Sequence, residues 1–137
     1  TNRPDIALIA EKNGVDRIFV DMEYIGKAER QGNLDTVKNH HSIGDISALR
    51  QVLTRSDLLV RVNPIHERTD AYSSSEEEIE AAIQAGADIV MLPYFKTVAE
   101  VKRFLGVVRG RVRTVLLLET PEAVDVLDEI LEIPGID

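Results

Sequence analysis

Charged and polar side chains follow the ends of four short apolar segments of the chain. They are Asp21, Glu23 and Tyr24 after the first segment, Arg61 and Asn63 after the second, Pro93, Tyr94 and Lys96 after the third, and Glu119 and Thr120 after the fourth. Carboxylate oxygens are the ligands that hard divalent cations prefer, and guanidinium groups bind anionic oxygens. These residue types together predict a site for an anionic, oxygen-rich ligand that is held through a divalent cation.

Glu119 follows the apolar run 115–118, which predicts a strand buried on both faces. A carboxylate at the end of such a strand is costly unless it is solvated, paired or bound to a cation. Glu119 is therefore either a ligand of Mg²⁺ or Mn²⁺, or the solvated or salt-bridged end of a loop.

Arg61 lies within an apolar segment, between Val60 and Val62. One interpretation is an ion pair with Asp21 or Glu23 that only neutralises buried charge. The other is a guanidinium fork that grips a substrate carboxylate through two parallel hydrogen bonds. Glu23 fits either a direct or a supporting role at the site.

Other candidate residues carry weaker signals. Tyr94 and Lys96 are expected to line the site without acting in it. His40 and His41 are adjacent in a polar stretch and are expected to be a solvated pair, whereas His66 could reach the site. The sequence has no glycine-rich phosphate loop and no evident Ser/His/Asp order.

The segments around these residues alternate between short strands and amphipathic helices, which predicts βαβ units and a parallel sheet. In such sheets ligands bind at the carboxyl ends of the strands, so the polar residues should meet at one edge. The first helix is expected to bury Ile6, Ile9 and Ala10. Ser75 and Glu78 have the spacing of a capping box at the start of another helix.

Composition indicates one globular domain over residues 1–137, with 44% apolar and 29% charged residues. A net charge of −8 argues against a nucleic-acid partner, and no apolar run approaches the roughly 20 residues that span a bilayer. The absence of cysteine excludes disulfides and thiolate chemistry. We therefore expect a cytoplasmic protein with no membrane partner.

Two α/β architectures fit this pattern. The length of 137 residues suits a flavodoxin-like doubly wound open sheet, which could serve as a receiver or binding domain. The alternative is a partial (β/α)₈ TIM barrel of about four parallel strands, each followed by a helix. The chain opens on a helix and closes on "IPGID", which indicates a barrel that lacks its first strand and its C-terminal βα units.

The segments "IFVDMEY", "LLVRVNP", "AIQAGADIVMLPYFKTVAEV" and "LLLETPEAV" resemble the HpcH/HpaI aldolase/citrate lyase family in order and spacing. The segment "VRVNP" is more similar to the citrate lyase members of that family. The resemblance implies a (β/α)₈ barrel that binds Mg²⁺ or Mn²⁺ and makes or breaks carbon–carbon bonds beside a 2-oxo acid or an acyl-CoA thioester, through a metal-stabilised enolate. By position, Glu119 would be a metal ligand with a catalytic role. Arg61 would be catalytic and would contact the substrate with Glu23, Tyr24 and Pro93.

The sequence departs from the family pattern at several positions. Tyr24 stands where the aldolase branch places a histidine base, and Gln84 stands where that branch places the acid that partners this histidine. The second metal carboxylate would lie beyond Asp137. Lys27, Arg30 and Gln31 either grip an anionic substrate or belong to a solvated loop.

The leading hypothesis is therefore a metal-dependent carbon–carbon lyase or aldolase acting on a small carboxylate. The alternative is a non-catalytic carboxylate- or acyl-binding domain, or a subunit of a larger lyase complex. We expect a homo-oligomer, and we expect residues 1–137 to be inactive when isolated.

Overall fold

The computed structural model describes residues 1–26 and 41–137, in which helices and parallel strands alternate. The elements in chain order are α1 (Pro4–Lys12), β1 (Arg17–Asp21), α2 (Ile43–Val52), β2 (Asp57–Arg61), α3 (Ser75–Gln84), β3 (Ile89–Leu92), α4 (Val98–Val108), β4 (Arg113–Leu116), α5 (Pro121–Asp125) and α6 (Leu127–Leu131). Lys27, Arg30, Gln31 and His40 lie outside the described residues. Within the described ranges, no helix is long and apolar enough to cross a membrane.

The four strands form one sheet in the order β1-β2-β3-β4, and each pairs in parallel with its neighbour. A doubly wound sheet reverses its strand order at a switch point. This sheet has no reversal, so the flavodoxin-like alternative is wrong. Sequential order with crossovers of one hand places every helix on the same face, as in a (β/α) barrel.

One face of the sheet, the core face, packs against the helices. It carries Ile18 and Val20 of β1, Leu58 and Val60 of β2, Val90 and Leu92 of β3, and Thr114 of β4, all of them buried. The helices contribute to the same core with fully buried residues such as Ile46, Leu49, Ile79 and Phe104. This packing fixes which side chains of each strand point the other way.

The opposite face, here called the open face, carries Arg17, Phe19, Asp21, Asp57, Leu59, Arg61, Ile89, Met91, Arg113 and Val115. In the described part of the chain no helix covers it, and Phe19 is 38% exposed. β4 is an edge strand, so Val115 is only half-buried and Leu118 is exposed. The prediction of a strand buried on both faces at 115–118 is therefore wrong for this chain.

Two helix predictions need correction. α1 buries Ala7 and Glu11, while Ile6 and Ile9 are exposed, because the helix lies beside the edge strand β1 and turns its other side to the core.

α3 begins after Ser74, whose side chain accepts the N–H of Glu77. The capping box predicted from Ser75 and Glu78 does not form, and Glu78 is buried instead.

Glu11 fastens α1 to the turn that leads into β2. Its carboxylate accepts the backbone N–H groups of Thr54, Arg55 and Ser56 at 2.7–3.0 Å through Oε2. These hydrogen bonds lower the pKa of Glu11 to about 2, with the N–H groups of Ser56 and Arg55 as the largest causes. The charged form of Glu11 thus stabilises the folded chain.

We predict that Glu11→Gln will reduce the acid sensitivity of the fold. Because the pKa of Glu11 is depressed in the folded state, its stabilisation is complete above the unfolded value of about 4.3 and is lost as pH falls toward 2. The urea midpoint of the variant should therefore change less between pH 5 and pH 2.5 than that of the parent. Glu132→Gln, which removes an exposed carboxylate, is the matched control, and an equal change in all three proteins would contradict the prediction.

Candidate active site at the carboxyl rim

The carboxyl rim consists of the residues at and just beyond the strand ends, 21–24, 61–63, 93–96 and 119–120. Arg61 lies at its centre, directly opposite Asp21 in the register of β1 and β2. The guanidinium donates from Nε to Oδ1 of Asp21 at 2.9 Å and from Nη2 to Oδ2 at 2.7 Å. Its Nη1 lies 3.2 Å from Oε2 of Glu23, and the guanidinium carbon Cζ lies 5.7 Å from the centre of the Phe19 ring.

Glu23 is only 3% exposed, so its charge needs a partner inside the protein. Arg61 is one such partner. Its own pKa is raised, and the side-chain hydrogen bond to Asp21 is the largest cause. The ion pair that the sequence suggested as one of two interpretations is therefore present. A guanidinium has five N–H donors, so three contacted nitrogens still leave donors for a ligand.

Tyr24 follows the buried Glu23 and is held through its backbone. Its N–H donates to Oδ1 of Asn63 at 2.9 Å, and the N–H of Ile25 donates to the same oxygen at 3.0 Å. The Tyr24 ring is exposed, and its hydroxyl lies 3.3 Å from Oγ1 of Thr69. Tyr24 thus lies at the rim as expected, although its contact with a substrate stays a prediction.

Glu119 lies across the rim from Arg61. Leu117 continues the β4 ladder by donating its N–H to the Leu92 carbonyl at 3.0 Å, and Glu119 lies two residues further along. Residues two apart on a strand share a face, so Glu119 extends the row of Val115 on the open face. The charge of Glu119 also raises the pKa of Arg61, as the smallest of the causes after the contacts with Asp21 and Glu23. The two groups therefore lie at the same edge of the sheet, and no direct contact joins them.

The turn after β3 orients Glu119. Tyr94 has a φ of +49°, in the left-handed region, and its N–H donates to Oε1 of Glu119 at 3.0 Å. Pro93, which precedes it, is buried. A non-glycine residue in this region costs of the order of 1–3 kcal/mol, and such conformations cluster at functional sites. The strained turn aims a backbone donor at the carboxylate.

Lys96 and Thr120 support the edge of the rim. Nζ of Lys96 lies 3.3 Å from Oε1 of Glu122 and 5.4 Å from the centre of the Tyr94 ring, which agrees with its predicted lining role. The buried Thr120 donates to the Phe95 carbonyl at 2.8 Å and accepts the N–H of Ala123 at 3.1 Å. Thr120 therefore caps α5 and fixes the backbone next to Glu119.

The two described histidines are both held by hydrogen bonds. His41 accepts the backbone N–H of Asp21 through Nδ1 at 3.0 Å, so the prediction of a solvated histidine is wrong for it. His66 is 8% exposed and its Nε2 lies 2.8 Å from Oε2 of Glu78, which binds Asn63 of the rim through its other oxygen. Sequence reasoning missed this role of Glu78, because its spacing from Ser75 also fits a helix cap.

One potential ligand at the rim, the carboxylate of Glu119, fits a divalent cation. Glu119 offers a carboxylate whose Oε2 has no hydrogen-bond partner among residues 1–26 and 41–137. The same ranges contain no group of three potential His, Cys, Asp or Glu ligands. Mg²⁺ commonly binds through one or two carboxylates together with water and substrate oxygens, so Glu119 suits one of these positions.

The fold and the rim define a (β/α)-barrel type of protein with a polar site at the carboxyl ends of its strands. The sequence profile of the HpcH/HpaI aldolase/citrate lyase family matches residues 1–137, so the chain belongs to that family. A search of curated proteins found no match.

Several solved structures share the fold of this chain. The citrate synthase SbnG is 14% identical with a TM-score of 0.74, and the HpcH/HpaI aldolase from Desulfitobacterium hafniense DCB-2 is 17% identical with a TM-score of 0.74. An HpcH/HpaI aldolase/citrate lyase family protein from Burkholderia cenocepacia J2315 is 16% identical with a TM-score of 0.69. These matches cover 99–100% of this chain but only 56–58% of the relatives, so the chain spans a little over half their length.

We predict that Arg61→Met will lower the free energy of unfolding by about 2–4 kcal/mol, because it removes the guanidinium that faces the buried carboxylate of Glu23. Adding Glu23→Gln to this variant should recover part of the loss, since it removes the buried charge. Urea titration at pH 7 of the parent, both single variants and the double variant measures this coupling. Strictly additive effects of the two substitutions would contradict the pairing.

Proposed function

We propose that this protein is a metal-dependent carbon–carbon lyase or aldolase that acts on a 2-oxo acid or an acyl-CoA-type carboxylate. The observation that carries the proposal is that Arg61, fixed by two carboxylates, shares one face of the rim with Glu119. Membership of the aldolase/citrate lyase family supports this reaction class.

The state of Glu119 supports a role for a cation. Arg61 pairs with Asp21 and Glu23, whereas Glu119 accepts one backbone N–H and has no ion-pair partner among residues 1–26 and 41–137. A divalent ion next to Glu119 would offset its charge and attract the substrate carboxylate.

Each residue then has a distinct part. Glu119 holds the ion, with its orientation set by the Tyr94 N–H. Arg61 donates its remaining N–H groups to the substrate carboxylate and stabilises the negative charge that develops on the adjacent carbonyl oxygen. Bound Mg²⁺ or Mn²⁺ would supply Lewis-acid polarisation of that carbonyl. Tyr24, Pro93 and Glu23 border the space between these groups.

We further propose that residues 1–137 are four βα units of a larger (β/α)₈ barrel. The half-exposed apolar side chains of the open face, including Phe19, Met91 and Val115, support this. A barrel interior is filled by layers of such side chains. The exposed Leu118, Val124 and Leu131 at the β4 side also support it, because a following βα unit would cover them. Cytoplasmic location and homo-oligomeric assembly are further parts of the proposal.

A second candidate is a non-catalytic carboxylate- or acyl-binding domain, or a subunit of a larger lyase complex. The exposed Tyr24 favours it, since this position lacks the histidine base that the aldolase branch is expected to have. Binding of oxaloacetate or a 4-hydroxy-2-oxo acid without turnover in the presence of Mn²⁺ would support this candidate over the first.

We predict that Glu119→Gln, made in the intact polypeptide that contains residues 1–137, will weaken Mn²⁺ binding by at least about 100-fold. Loss of residues that merely support a ligand costs about 10–100-fold, and loss of a direct ligand should cost more. Isothermal calorimetry with Mn²⁺ measures the change. The control is Glu122→Gln, three residues away on the same rim, which should bind Mn²⁺ as the parent does. Equal Mn²⁺ affinity in the parent and in Glu119→Gln would exclude the assigned role.

We also predict that residues 1–137 expressed alone will not turn over oxaloacetate with Mn²⁺, because the described residues contain no group of three potential metal ligands. The intact polypeptide should be active in the same assay. Pyruvate formation followed by coupled absorbance measures both. Comparable turnover by the isolated segment would contradict this expectation.

A further inference from the structure

Glu78 of α3 is a buried carboxylate that the proposed reaction does not use. It is 1% exposed, and its Oε1 accepts both the backbone N–H of Asn63 at 3.1 Å and the side-chain Nδ2 at 2.8 Å. Its Oε2 lies 2.8 Å from Nε2 of His66. A buried charge that receives several donors is both satisfied and firmly held.

The side-chain amide of Asn63 connects Glu78 to the loop after β1. With Nδ2 committed to Glu78, the amide must present Oδ1 to the loop after β1, where it accepts the N–H groups of Tyr24 and Ile25. A flipped amide would set Nδ2 against two N–H donors and Oδ1 against a carboxylate. Glu78 therefore fixes the orientation of Asn63.

The loop held in this way immediately follows Glu23. The β1–β2 ladder ends where Met22 donates its N–H to the Arg61 carbonyl at 3.0 Å, so strand pairing does not reach Tyr24 and Ile25. Their amides are bound by Asn63 instead. The path from Glu78 through Asn63 to Tyr24 thus sets the position from which Glu23 meets Arg61.

We propose that Glu78 is a positioning residue that acts through the Asn63 amide to hold Glu23 against Arg61. The proposal rests on the proposed function only in that Arg61 is taken to bind the substrate. Glu78 itself contacts neither Arg61 nor the open part of the rim, so its effect on catalysis is indirect.

The first test compares Glu78→Met with Glu78→Gln. Methionine has a similar shape but accepts no hydrogen bond from Asn63, whereas glutamine keeps an acceptor oxygen. Hydrogen exchange of the Tyr24 and Ile25 amides, measured by NMR at pH 8, should show protection reduced by about tenfold or more in Glu78→Met. Glu78→Gln should retain protection within about threefold of the parent. Glu80→Gln removes a half-buried glutamate of the same helix that pairs with Arg111 and makes no contact with Asn63. It is the control for lost charge, and its protection of the two amides should match the parent.

The second test uses Asn63→Asp, which keeps an acceptor for Tyr24 and Ile25 but sets a carboxylate against Glu78. Two carboxylates in contact cannot both stay ionised without strong repulsion. Protection of the two amides should therefore be low at pH 8 and recover at pH 5, where the pair shares a proton and the protonated form replaces the lost N–H donor. His66 and Tyr72 are ionisable neighbours of Glu78, and the parent at both pH values controls for pH effects that do not come from the Asn63→Asp substitution.

Turnover of oxaloacetate with Mn²⁺ in the intact polypeptide adds a functional measurement. We expect kcat/KM to fall about tenfold in Glu78→Met and to be recovered in Glu78→Gln. Inactivity of the parent would overturn the proposed function and leave the amide exchange result to decide the role of Glu78. Unchanged protection in Glu78→Met and in Asn63→Asp at pH 8, or equal loss in Glu78→Met and Glu78→Gln, would overturn the positioning role.

Discussion

The contact between the Arg61 guanidinium and the carboxylates of Asp21 and Glu23 determines the geometry of the rim at the ends of β1 and β2. Charged groups leave water only at a cost, so the adjacent Arg61 stabilises the nearly buried Glu23. The contact requires Asp21 opposite Arg61, and a shift of one residue would turn Arg61 toward the helices. The apolar residues of the core face enforce that register. Hydrophobic packing on one face of the sheet therefore decides where the charges lie on the other.

The opposite side of the rim is built by backbone rather than by charge pairing. Tyr94 adopts a left-handed conformation, and this directs its N–H to Glu119. Thr120, which follows Glu119, donates its hydroxyl to the Phe95 carbonyl and so fixes the backbone beside Glu119. Glu119 is thus oriented from the β3 turn and from the start of α5, while its second oxygen accepts no hydrogen bond from the described residues. A carboxylate that is held but not neutralised suits a cation better than one already paired with a guanidinium.

The sequence predicts some of these features and not others, for physical reasons. Alternation of strands and helices is a local pattern, so the parallel sheet and the gathering of Arg61 and Glu119 at one rim could be predicted. Contacts such as that between Asn63 and Glu78 join an apolar strand to a helix fifteen residues away. They depend on which face of the helix turns inward, and Ser75 with Glu78 also matched a local cap. The exposed Ile9 shows the same limit, since periodicity identifies an apolar stripe but not its partner.

The described part of the rim supplies charge rather than a base. His66 is bound to Glu78, and His41 accepts the Asp21 amide through one ring nitrogen. Tyr24 offers a phenolic hydroxyl, which donates and accepts hydrogen bonds but does not replace the histidine base. Arg61 and Glu119 can instead lower the energy of an anionic transition state by fixed electrostatics, which often supplies the largest share of catalysis. Proton transfer then needs a water molecule, the substrate itself, or a group outside the described residues. The segment therefore carries the electrostatic part of the proposed chemistry, and its tight ion pairs are the physical means by which that part is held in place.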